Sequence, residues 1–315
     1  MVMNNVALPT RIRKRSLASR IWDARYLYLL ILPAIAWYVI WCYIPMDGVL
    51  LAFKKYNAKL GVLGSEWLGL KNFQRIFVTN AAVKSIFNTL QISFTRLAVE
   101  FPMPILLAIL LNEVNHKQGK KILQTVYTFP HFLSWVIVAS ICKNFFAASG
   151  FFNSVIKSLG GESVNFLANK DIFRPLLYFT SIWKEAGWSS IIFLASISSI
   201  DPTLYEAAEI DGANRLQQAW YITVSCIRET IVLMFIMSVG GVMNAGFDQI
   251  FNMMNGAVRE TVEIIDTYIY NISFEAKPDY GFSGAIGIFK SIINLLLMCC
   301  ANFVCRKLTG SGLFK

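Results

Sequence analysis

The residues best suited to catalysis are scarce in this chain. Histidine occurs only at His116 and His131, and the six cysteines include no pair at the CxxC spacing of a metal site. The sequence therefore has too few suitable residues to favour a zinc centre or a serine-histidine-aspartate triad. The cysteines are typical of small buried hydrophobic side chains, and the sequence has no GxxxxGK[ST] phosphate loop. We predict no metal site and no cofactor bound by this chain.

A compact acidic segment is the strongest local signal. From residue 201 the sequence reads DPTLYEAAEIDGANRLQQAWYITVSCIRE. Asp201 can accept the amides of a helix start, Pro202 suits the first helical position, and Gly212 permits a turn. The pattern predicts a helix through Glu209, a turn, and a second short helix over residues 213–222. Small residues between carboxylates would let this element enter a groove on a partner. The residues of this surface are Glu206, Ala207, Ala208, Asp211, Gly212 and Ala213.

Polar residues recur at a fixed spacing in an apolar stretch near residue 240. Gly240, Asn244, Asp248 and Asn252 are four apart, which would keep them on one face of a continuous helix. Because polar groups are costly in lipid, this face should look into a helix bundle or a wet cavity. Contact with a ligand and helix packing through Gly and Asn hydrogen bonds are both open.

These residues lie in a chain whose composition is that of a membrane protein. Of 315 residues, 56% are hydrophobic and 15% are charged, against about 25% charged in soluble domains. The mean hydropathy is +0.52, which nearly excludes a soluble enzyme or a disordered chain. The net charge of +10 fits an anionic membrane surface, and in so hydrophobic a chain we expect no nucleic-acid partner.

Six stretches are long and apolar enough to cross a bilayer, which takes about 20 residues each. Backbone amides in hydrocarbon must be bonded within their own segment or a closed barrel, and runs of this length fit helices better than short alternating strands. The sequence therefore predicts an all-α polytopic membrane protein with six transmembrane helices. They are expected at residues 26–44, 85–111, 122–146, 176–200, 230–251 and 282–305.

The distribution of Lys and Arg predicts the orientation. Six cations precede residue 26 and the next is Lys54, so the positive-inside rule places the N-terminus in the cytoplasm. Both termini, and the acidic segment between helices 4 and 5, are then cytoplasmic. We divide the chain into a basic cytoplasmic tail, a first helix with an external segment, a five-helix core and a second cytoplasmic tail. Their bounds are 1–25, 26–84, 85–305 and 306–315.

The segment EAAEIDGA at residues 206–213 resembles the coupling-loop motif of permease subunits of binding-protein-dependent ABC importers, whose fold is the type I, MetI-like fold. It falls on the expected cytoplasmic loop. Segments beginning at Leu32, Tyr127 and Gly246 look like the subgroup that imports oligosaccharides or polysaccharide fragments. In one departure, Ser225 stands where the family usually has a proline that bends the chain into the fifth helix.

This resemblance implies a place in a larger assembly. A second homologous permease subunit would form a heterodimer with this chain, and a dimer of ATP-binding subunits would dock on the coupling loops. An extracellular solute-binding protein would deliver the carbohydrate cargo. ATP and Mg would be used by the partner subunits, so this chain is expected not to be an enzyme. It would lie in the lipid bilayer of a bacterial cytoplasmic membrane.

A carbohydrate cargo makes a group of residues in the fourth span candidates for the pathway. Trp183 and Trp188 flank Glu185. Sugars present apolar ring faces and polar edges, so indole rings beside a carboxylate would form a suitable lining. Tryptophan also collects at membrane interfaces, and the interface interpretation is the stronger of the two.

The sixth span contributes two more candidates. Lys290 and Asn294 are one helical turn apart. Lys290 is expected either to line a pathway or to pair with a carboxylate such as Glu185. An anionic cargo, such as a uronic-acid oligomer, would give Lys184 and Lys290 a more direct role.

Two other functions stay open from the sequence. An importer of the same architecture could carry an amino acid, a peptide or phosphate, and only the subgroup resemblance argues for sugar. A membrane-embedded enzyme would need a nucleophile, an acid or metal ligands converging at one membrane depth. Two isolated histidines and scattered cysteines do not provide such a set.

Overall fold

The computed structural model of the chain describes residues 22–274 and 277–310. The chain divides into two compact units, of which the first ends at Leu50 and the second begins at Leu51. Most of the predicted basic tail, including Arg11 and Arg20, lies outside the described residues, as does Lys315 at the other end.

The first unit is built on one apolar helical run. Helix α1, Arg25–Tyr38, continues through a π-helical turn, Val39–Tyr43, into a 3-10 segment, Ile44–Phe53, that ends in the second unit. The whole run, Arg25–Phe53, has 29 residues, and an 18-residue window within it has a mean hydropathy of 2.0. It covers the predicted first span, and its length is sufficient to cross a bilayer.

A small ribbon opens the second unit and corrects the all-α prediction. Strands β1, Lys54–Lys55, and β2, Glu66–Trp67, pair antiparallel around the short helix α2, Gly61–Gly64. The buried Lys54 ammonium donates to the carbonyls of Val62 and Leu63, at 2.8 and 2.9 Å. Two strands of two residues each are too short for sequence periodicity to reveal.

The remaining described residues of the second unit are helical or connecting. After α3, Lys71–Val78, helices α4, Asn80–Glu100, and α5, Pro102–Asn112, follow without a loop, and Pro102 occupies the first position of α5. The other α-helices are α6, Lys117–Thr128; α7, Trp135–Phe146; α8, Phe151–Ser158; α9, Lys170–Ile197; α10, Pro202–Ile210; α11, Arg215–Gln217; α12, Arg228–Gly240; α13, Phe247–Met253; α14, Arg259–Val262; α15, Ile265–Phe274; and α16, Tyr280–Thr309.

By length and composition, the described helices include four that could cross a membrane, or five if one bent pair counts as a span. The four are Arg25–Phe53, Asn80–Asn112, Trp135–Ser158 and Tyr280–Lys307, and the bent pair is Arg215–Val224 with Arg228–Gly240. Helix α9 has 28 residues but is not among them, since Lys184, Glu185 and other polar residues lower its hydropathy. The chain is thus mostly helical with several apolar helices, while the count of six stays a prediction.

The predicted third span, residues 122–146, is not one helix. A 3-10 turn, Phe129–Phe132, follows α6, and the chain is extended at Leu133 and Ser134 before α7 begins. Pro130 opens this turn, and the Ser134 side chain accepts the amide of Ile137 at 3.4 Å as the cap of α7. A helix start with its own cap is the physical reason that the helical pattern is interrupted here.

The predicted fifth span, residues 230–251, is also broken, and this corrects the four-residue repeat. Helix α12 ends at Gly240, a 3-10 turn Val242–Asn244 follows, and Ala245 and Gly246 adopt left-handed backbone angles, with φ of 47° and 78°. Left-handed residues cannot continue a right-handed helix. Gly240, Asn244, Asp248 and Asn252 therefore do not share one helical face. We call residues 241–246 the break.

Helix α9 is the central element of the second unit, and it packs against α4, α5, α6 and α13. Phe173 and Leu177 near its start lie in one buried cluster with Ile92, Val138 and Ile250. Near its end, Phe193, Leu194 and Ile197 pack against Ala108 and Leu111 of α5. A separate cluster joins α15 and α16 to the residues that precede α4.

Gly187 allows α9 and α6 to approach closely. A Cβ atom at this position would meet the backbone carbonyl of Tyr127, and backbone cannot move aside as a flexible side chain can. We expect Gly187→Ala to lower the free energy of unfolding by about 1–3 kcal/mol, the cost of overpacking a close interface, measured by thermal unfolding in detergent. The matched control is Gly287→Ala, in α16, where a Cβ meets nothing within 4 Å. Equal stability of the two variants would contradict the close approach.

An ionic cluster holds α14 against the starts of two long helices. The Glu260 carboxylate accepts hydrogen bonds from Lys84 of α4 and from Lys170 of α9, the latter at 3.0 Å. The Asn88 side chain donates to the carbonyls of Glu260 and Glu263, each at 3.1 Å. The Lys84 and Lys170 hydrogen bonds and charges lower the Glu260 pKa from 4.5 to about 2.

The depressed Glu260 pKa gives stability a defined pH dependence. Since the folded state holds the proton less tightly than the unfolded state, the stabilisation is complete above about pH 5. It declines as the pH falls from about 4.5 toward the folded pKa of about 2. We expect the melting-temperature difference between the native protein and Glu260→Gln to be constant from pH 7 to pH 5 and to shrink by pH 3, as checked by thermal unfolding. Glu162→Gln, at an exposed carboxylate, should show no such trend, and a constant difference down to pH 3 for Glu260→Gln would refute the assignment.

Candidate functional site

A cavity of about 360 Å³ lies inside the second unit. Its walls come from α4, α5, α9, α12 and the break. The volume is at the lower end of the range for small-molecule sites, which is about 300–1,000 Å³. Apolar side chains form most of the wall. The polar groups are Ser93, Arg96, Glu100, Ser181, Glu185, Ser189, Ser238 and Asn244.

Two oppositely charged residues of α4 form one side of this cavity. Arg96 and Glu100 are one turn apart, with 3.7 Å between Arg96 Nε and Glu100 Oε1 and side chains only 13% and 23% exposed. Arg96 also donates to the Gln249 side chain, and Ser181 donates to Glu100 at 2.9 Å. Charges in an apolar bundle need such partners because their desolvation is costly.

Glu185, which also lines the cavity, belongs to a second ionic group. Lys184 Nζ donates to Glu185 Oε1 and to the His131 carbonyl, both at 2.8 Å. His131 Nδ1 lies 2.6 Å from Glu185 Oε2, and its ring stacks on Trp188 with centroids 4.6 Å apart. Glu185 is thus bonded within its own neighbourhood and is not the partner of Lys290. The prediction that Lys290 pairs with a carboxylate is confirmed, but that carboxylate is Asp266.

Lys290 instead pairs with a carboxylate beside the break. Its ammonium donates to both Asp266 oxygens at 2.7 Å and to the Asn244 side chain at 2.9 Å. One turn further along α16, Asn294 donates to the Gly240 carbonyl and accepts the Met243 amide at 3.4 Å. The polar side chains of α16 thus bond backbone and side-chain groups that the break leaves outside a regular helix.

Helix α4 completes the support of the break. Ser93 donates to the Val242 carbonyl. The Arg96 guanidinium lies so close to Gly246 that a Cβ there would clash with it. Glycine is favoured at position 246 for two reasons. Its φ of 78° is one that residues with a side chain rarely adopt, and the Arg96 guanidinium lies close to it.

The predicted pathway residues fall into two groups. Glu185 and Asn244 line the cavity. Lys290 and Asn294 contact the break from α16. The other four are not part of the cavity wall: Trp183 and Trp188, each 45% exposed, Asp248, and Asn252, which donates to the Asp248 carbonyl at 2.7 Å.

Sequence reasoning missed Arg96, Glu100 and Ser181. The signal was available, since two ionisable residues four positions apart inside a predicted apolar span should face each other and a bundle interior. The four-residue spacing near residue 240 instead predicts a helical face that the break does not allow.

The acidic segment has the expected local structure. Asp201 caps α10 by accepting the Thr203 amide at 3.0 Å, and this hydrogen bond lowers the pKa of the Asp201 carboxyl. Gly212 has a φ of 78° at the turn, and Asn214 forms a capping box with Gln217 at α11. Four of the predicted surface residues are exposed: Glu206, Ala207, Asp211 and Gly212. The other two, Ala208 and Ala213, are half-buried.

The second helix of this segment continues as a π-helix, Gln218–Val224, that meets α12 at a bend of 67°. The bend is present with Ser225 in place of the family's usual proline. A hydrogen bond of 2.8 Å between the hydroxyls of Tyr205 and Thr223 ties α10 to the π-helix. The two arms of the acidic segment are thus held together by a side-chain contact.

Known proteins resemble this chain over nearly its whole length. A family model described as "Binding-protein-dependent transport system inner membrane component" matches residues 100–310. The polygalacturonan/rhamnogalacturonan transport system permease protein YteP of Bacillus subtilis (strain 168) is 42% identical, covering 96% of this chain and 94% of its own. Protein LplB of the same strain is 41% identical, covering 92% and 91%.

Chains of two solved transporter structures also resemble this chain over nearly its whole length. One chain of a bacterial alginate ABC transporter, in complex with an alginate pentasaccharide-bound periplasmic protein, superposes with a TM-score of 0.87 at 37% identity. The match covers 95% of this chain and 100% of that one. A chain of a bacterial ABC transporter involved in the import of the acidic polysaccharide alginate has a TM-score of 0.86 at 38% identity, over 93% and 99%.

The Lys290–Asp266 pair yields a stability prediction. The two side chains are 16% and 21% exposed, so Lys290→Met leaves a largely buried carboxylate without its cation. We expect a loss of about 3 kcal/mol in the free energy of unfolding, and a smaller loss in the double variant Lys290→Met/Asp266→Asn, which removes both charges. Thermal unfolding of the detergent-solubilised protein measures both.

Lys307→Met is the control for this pair, because Lys307 is an exposed lysine in the last turns of the same helix. It should change stability by no more than about 0.5 kcal/mol. If the Lys290→Met and double variants are equally destabilised, the two charges are not coupled and the ion-pair interpretation fails.

Proposed function

The chain belongs to the family of inner membrane components of binding-protein-dependent transport systems, and from that membership we propose the role it has in transport. Together with a second homologous permease subunit it forms the transmembrane pathway of an ATP-driven importer for an oligosaccharide or polysaccharide fragment. The observation that carries this proposal is a partly polar cavity lined by five helical elements, connected through α12 to a helix-turn-helix whose carboxylates are exposed.

The carbohydrate cargo is supported by the proteins that this chain is similar to. YteP is named as a polygalacturonan/rhamnogalacturonan permease, and both solved transporters handle alginate. We propose that Glu185 and Asn244 contact the cargo from the cavity wall. Lys290 and Asn294 act on the pathway through the break, while Trp183, Trp188, Asp248 and Asn252 would take part only on a surface shared with the partner permease.

We propose that the acidic segment couples this chain to a partner ATPase. Helix α10 and the turn at Gly212 form a small protruding element, and the exposed Glu206 and Asp211 carboxylates suit cationic residues at the edge of a groove. Ala207 is exposed beside them, and a short side chain lets the helix lie close to a partner surface. ATP and Mg belong to a dimer of ATP-binding subunits in this assembly, and an extracellular solute-binding protein brings the cargo.

For the membrane topology we propose six transmembrane helices with both termini in the cytoplasm. Helix α9 is the fourth of these helices in chain order, and it tolerates Lys184 and Glu185 because they pair with each other inside the bundle. The acidic segment follows α9 directly and lies on the cytoplasmic side, where an ATPase can reach it. This arrangement fits the cytoplasmic membrane of a bacterium.

The coupling role is tested by reversing one charge. We expect Glu206→Lys to abolish cargo uptake and to remove the ATPase from the complex, because a cation then faces the cationic edge of the groove. A tagged pull-down from membranes in mild detergent, with identification of the recovered proteins and an assay of ATP hydrolysis, measures both effects. The native chain should recover an ATPase and a second permease.

Glu162→Lys is the control, since Glu162 is an equally exposed carboxylate outside the acidic segment. It should retain the partners, which separates a local charge effect from the loss of any surface carboxylate. Normal uptake by Glu206→Lys would refute the coupling assignment. Recovery of the native chain alone, without ATPase or second permease, would refute the importer assignment.

A further inference from the structure

We infer that Arg96 binds a carboxylate of an acidic cargo, and that Glu100 holds the Arg96 guanidinium in the same way while the cavity is empty of cargo. The inference rests on the proposed function and names the substrate class of the same site, an oligosaccharide that contains uronic acid. Arg96 then determines specificity, because it distinguishes the acid from its neutral ester. Glu100 is a positioning residue that acts through Arg96.

The first observation is that the Arg96–Glu100 pair is incomplete. Arg96 Nε and Glu100 Oε1 are buried, and neither has a hydrogen-bond partner among the described residues, 22–274 and 277–310. The two atoms are 3.7 Å apart, which is within ion-pair range and too long for a hydrogen bond. A buried donor and a buried acceptor left without hydrogen bonds are costly. Both residues line the cavity, so the pair has hydrogen-bonding capacity that the described residues do not use.

The second observation is the charge of the cavity wall. Among the residues that line it, Arg96 is the single cation. Lys184 and Lys290, which the sequence suggested for an anionic cargo, are absent from the wall, and their ammonium groups are bonded to Glu185 and Asp266. The wall also carries two carboxylates, Glu100 beside Arg96 and Glu185, which pairs with the Lys184 ammonium. For an entering carboxylate, the Arg96 guanidinium is the one positive group on the wall.

The exchange replaces one carboxylate partner of Arg96 with another. A guanidinium presents paired N–H donors that match the two oxygens of a carboxylate, and a uronate carboxylate offers the same two oxygens as Glu100. When the cargo carboxylate takes the place of Glu100, Arg96 still has one carboxylate partner, while Glu100 loses its counterion, which offsets part of the gain. Glu100 keeps the hydrogen bond from Ser181, at 2.9 Å, and Gln249 keeps Arg96 in place.

The third observation is that the Arg96 guanidinium is held in one position. Its guanidinium packs over Gly246 at the break, where any Cβ would displace it, and its side chain is 13% exposed. An arginine that is held in one position by Gln249 and Gly246 loses little further freedom when a ligand binds. Pre-organisation of this kind raises affinity without adding contacts.

The test compares an acidic cargo with its neutral form. The importer is reconstituted in liposomes as the full complex, with the partner permease, the ATPase subunits and the solute-binding protein. Uptake is measured for trimers of galacturonate and of mannuronate, and for their methyl esters, which have the same sugars and linkages without the charge. Since one solute-binding protein serves every variant, its own preference cancels when acid-to-ester ratios are compared between variants.

Three variants have different expected ratios. The double variant Arg96→Gln/Glu100→Gln removes both charges together, so no unpaired ion is left to prevent folding, and its acid-to-ester ratio should fall roughly tenfold or more, the effect of one charge-assisted hydrogen bond. Glu100→Gln frees Arg96 and should raise the ratio. Lys143→Gln, at an exposed lysine outside the cavity wall, should leave it unchanged.

Opposite changes in the first two variants, with ester uptake retained, would support the inference, because a structural role of the pair would lower acid and ester uptake together. Ratios equal to that of the native protein in both variants would overturn the inference and leave the proposed function intact. If the native importer takes up none of the four probes, the inference fails, while the proposed import of an oligosaccharide is tested separately by the recovery of an ATPase and a second permease.

Discussion

The organisation of the second unit depends on one requirement, which is that backbone groups inside an apolar bundle must be hydrogen-bonded. The break at residues 241–246 interrupts the backbone ladder in the middle of the predicted fifth span. Ser93 and Asn294 reach it from α4 and α16 and bond the carbonyls of Val242 and Gly240. Irregular backbone at such depth is tolerated where protein surrounds it or where it lines a cavity. Both conditions hold here, and the cavity exists because the helix ends where it does.

The same requirement explains the pairing of charges. Each apolar helix that carries an ion in this region has an opposite charge beside it: Arg96 with Glu100, Lys184 with Glu185, and Lys290 with Asp266. A buried ion pair contributes little net stability because desolvation offsets the attraction. Apolar residues are often at least as stabilising at such positions, so stability alone does not account for Arg96–Glu100 and Lys184–Glu185, two pairs that contribute residues to the cavity wall.

The sequence predicted the features that depend on neighbours in the chain. The cap at Asp201, the turn at Gly212 and the approximate positions of the long helices follow from local chemistry, and the structure confirms the cap and the turn. The sequence could not predict which residues far apart in the chain contact each other. The partner of Lys290 is Asp266, on a short helix between spans, and the four-residue spacing near residue 240 assumed a continuous helix. Two left-handed residues, at Ala245 and Gly246, cancel that assumption.

Helix α12 connects the two irregular places in this part of the chain. At one end it meets the acidic segment at a bend of 67°, and at the other it ends at the break. Between them it has 13 residues, which at about 1.5 Å per residue gives a rigid rod of roughly 20 Å. Met234, Met237 and Ser238 of this rod line the cavity. A helix between two breaks can move as one body, with its hinges at the element ends. Helix α12 is therefore a single rigid element that connects the acidic segment to the cavity wall through the chain itself.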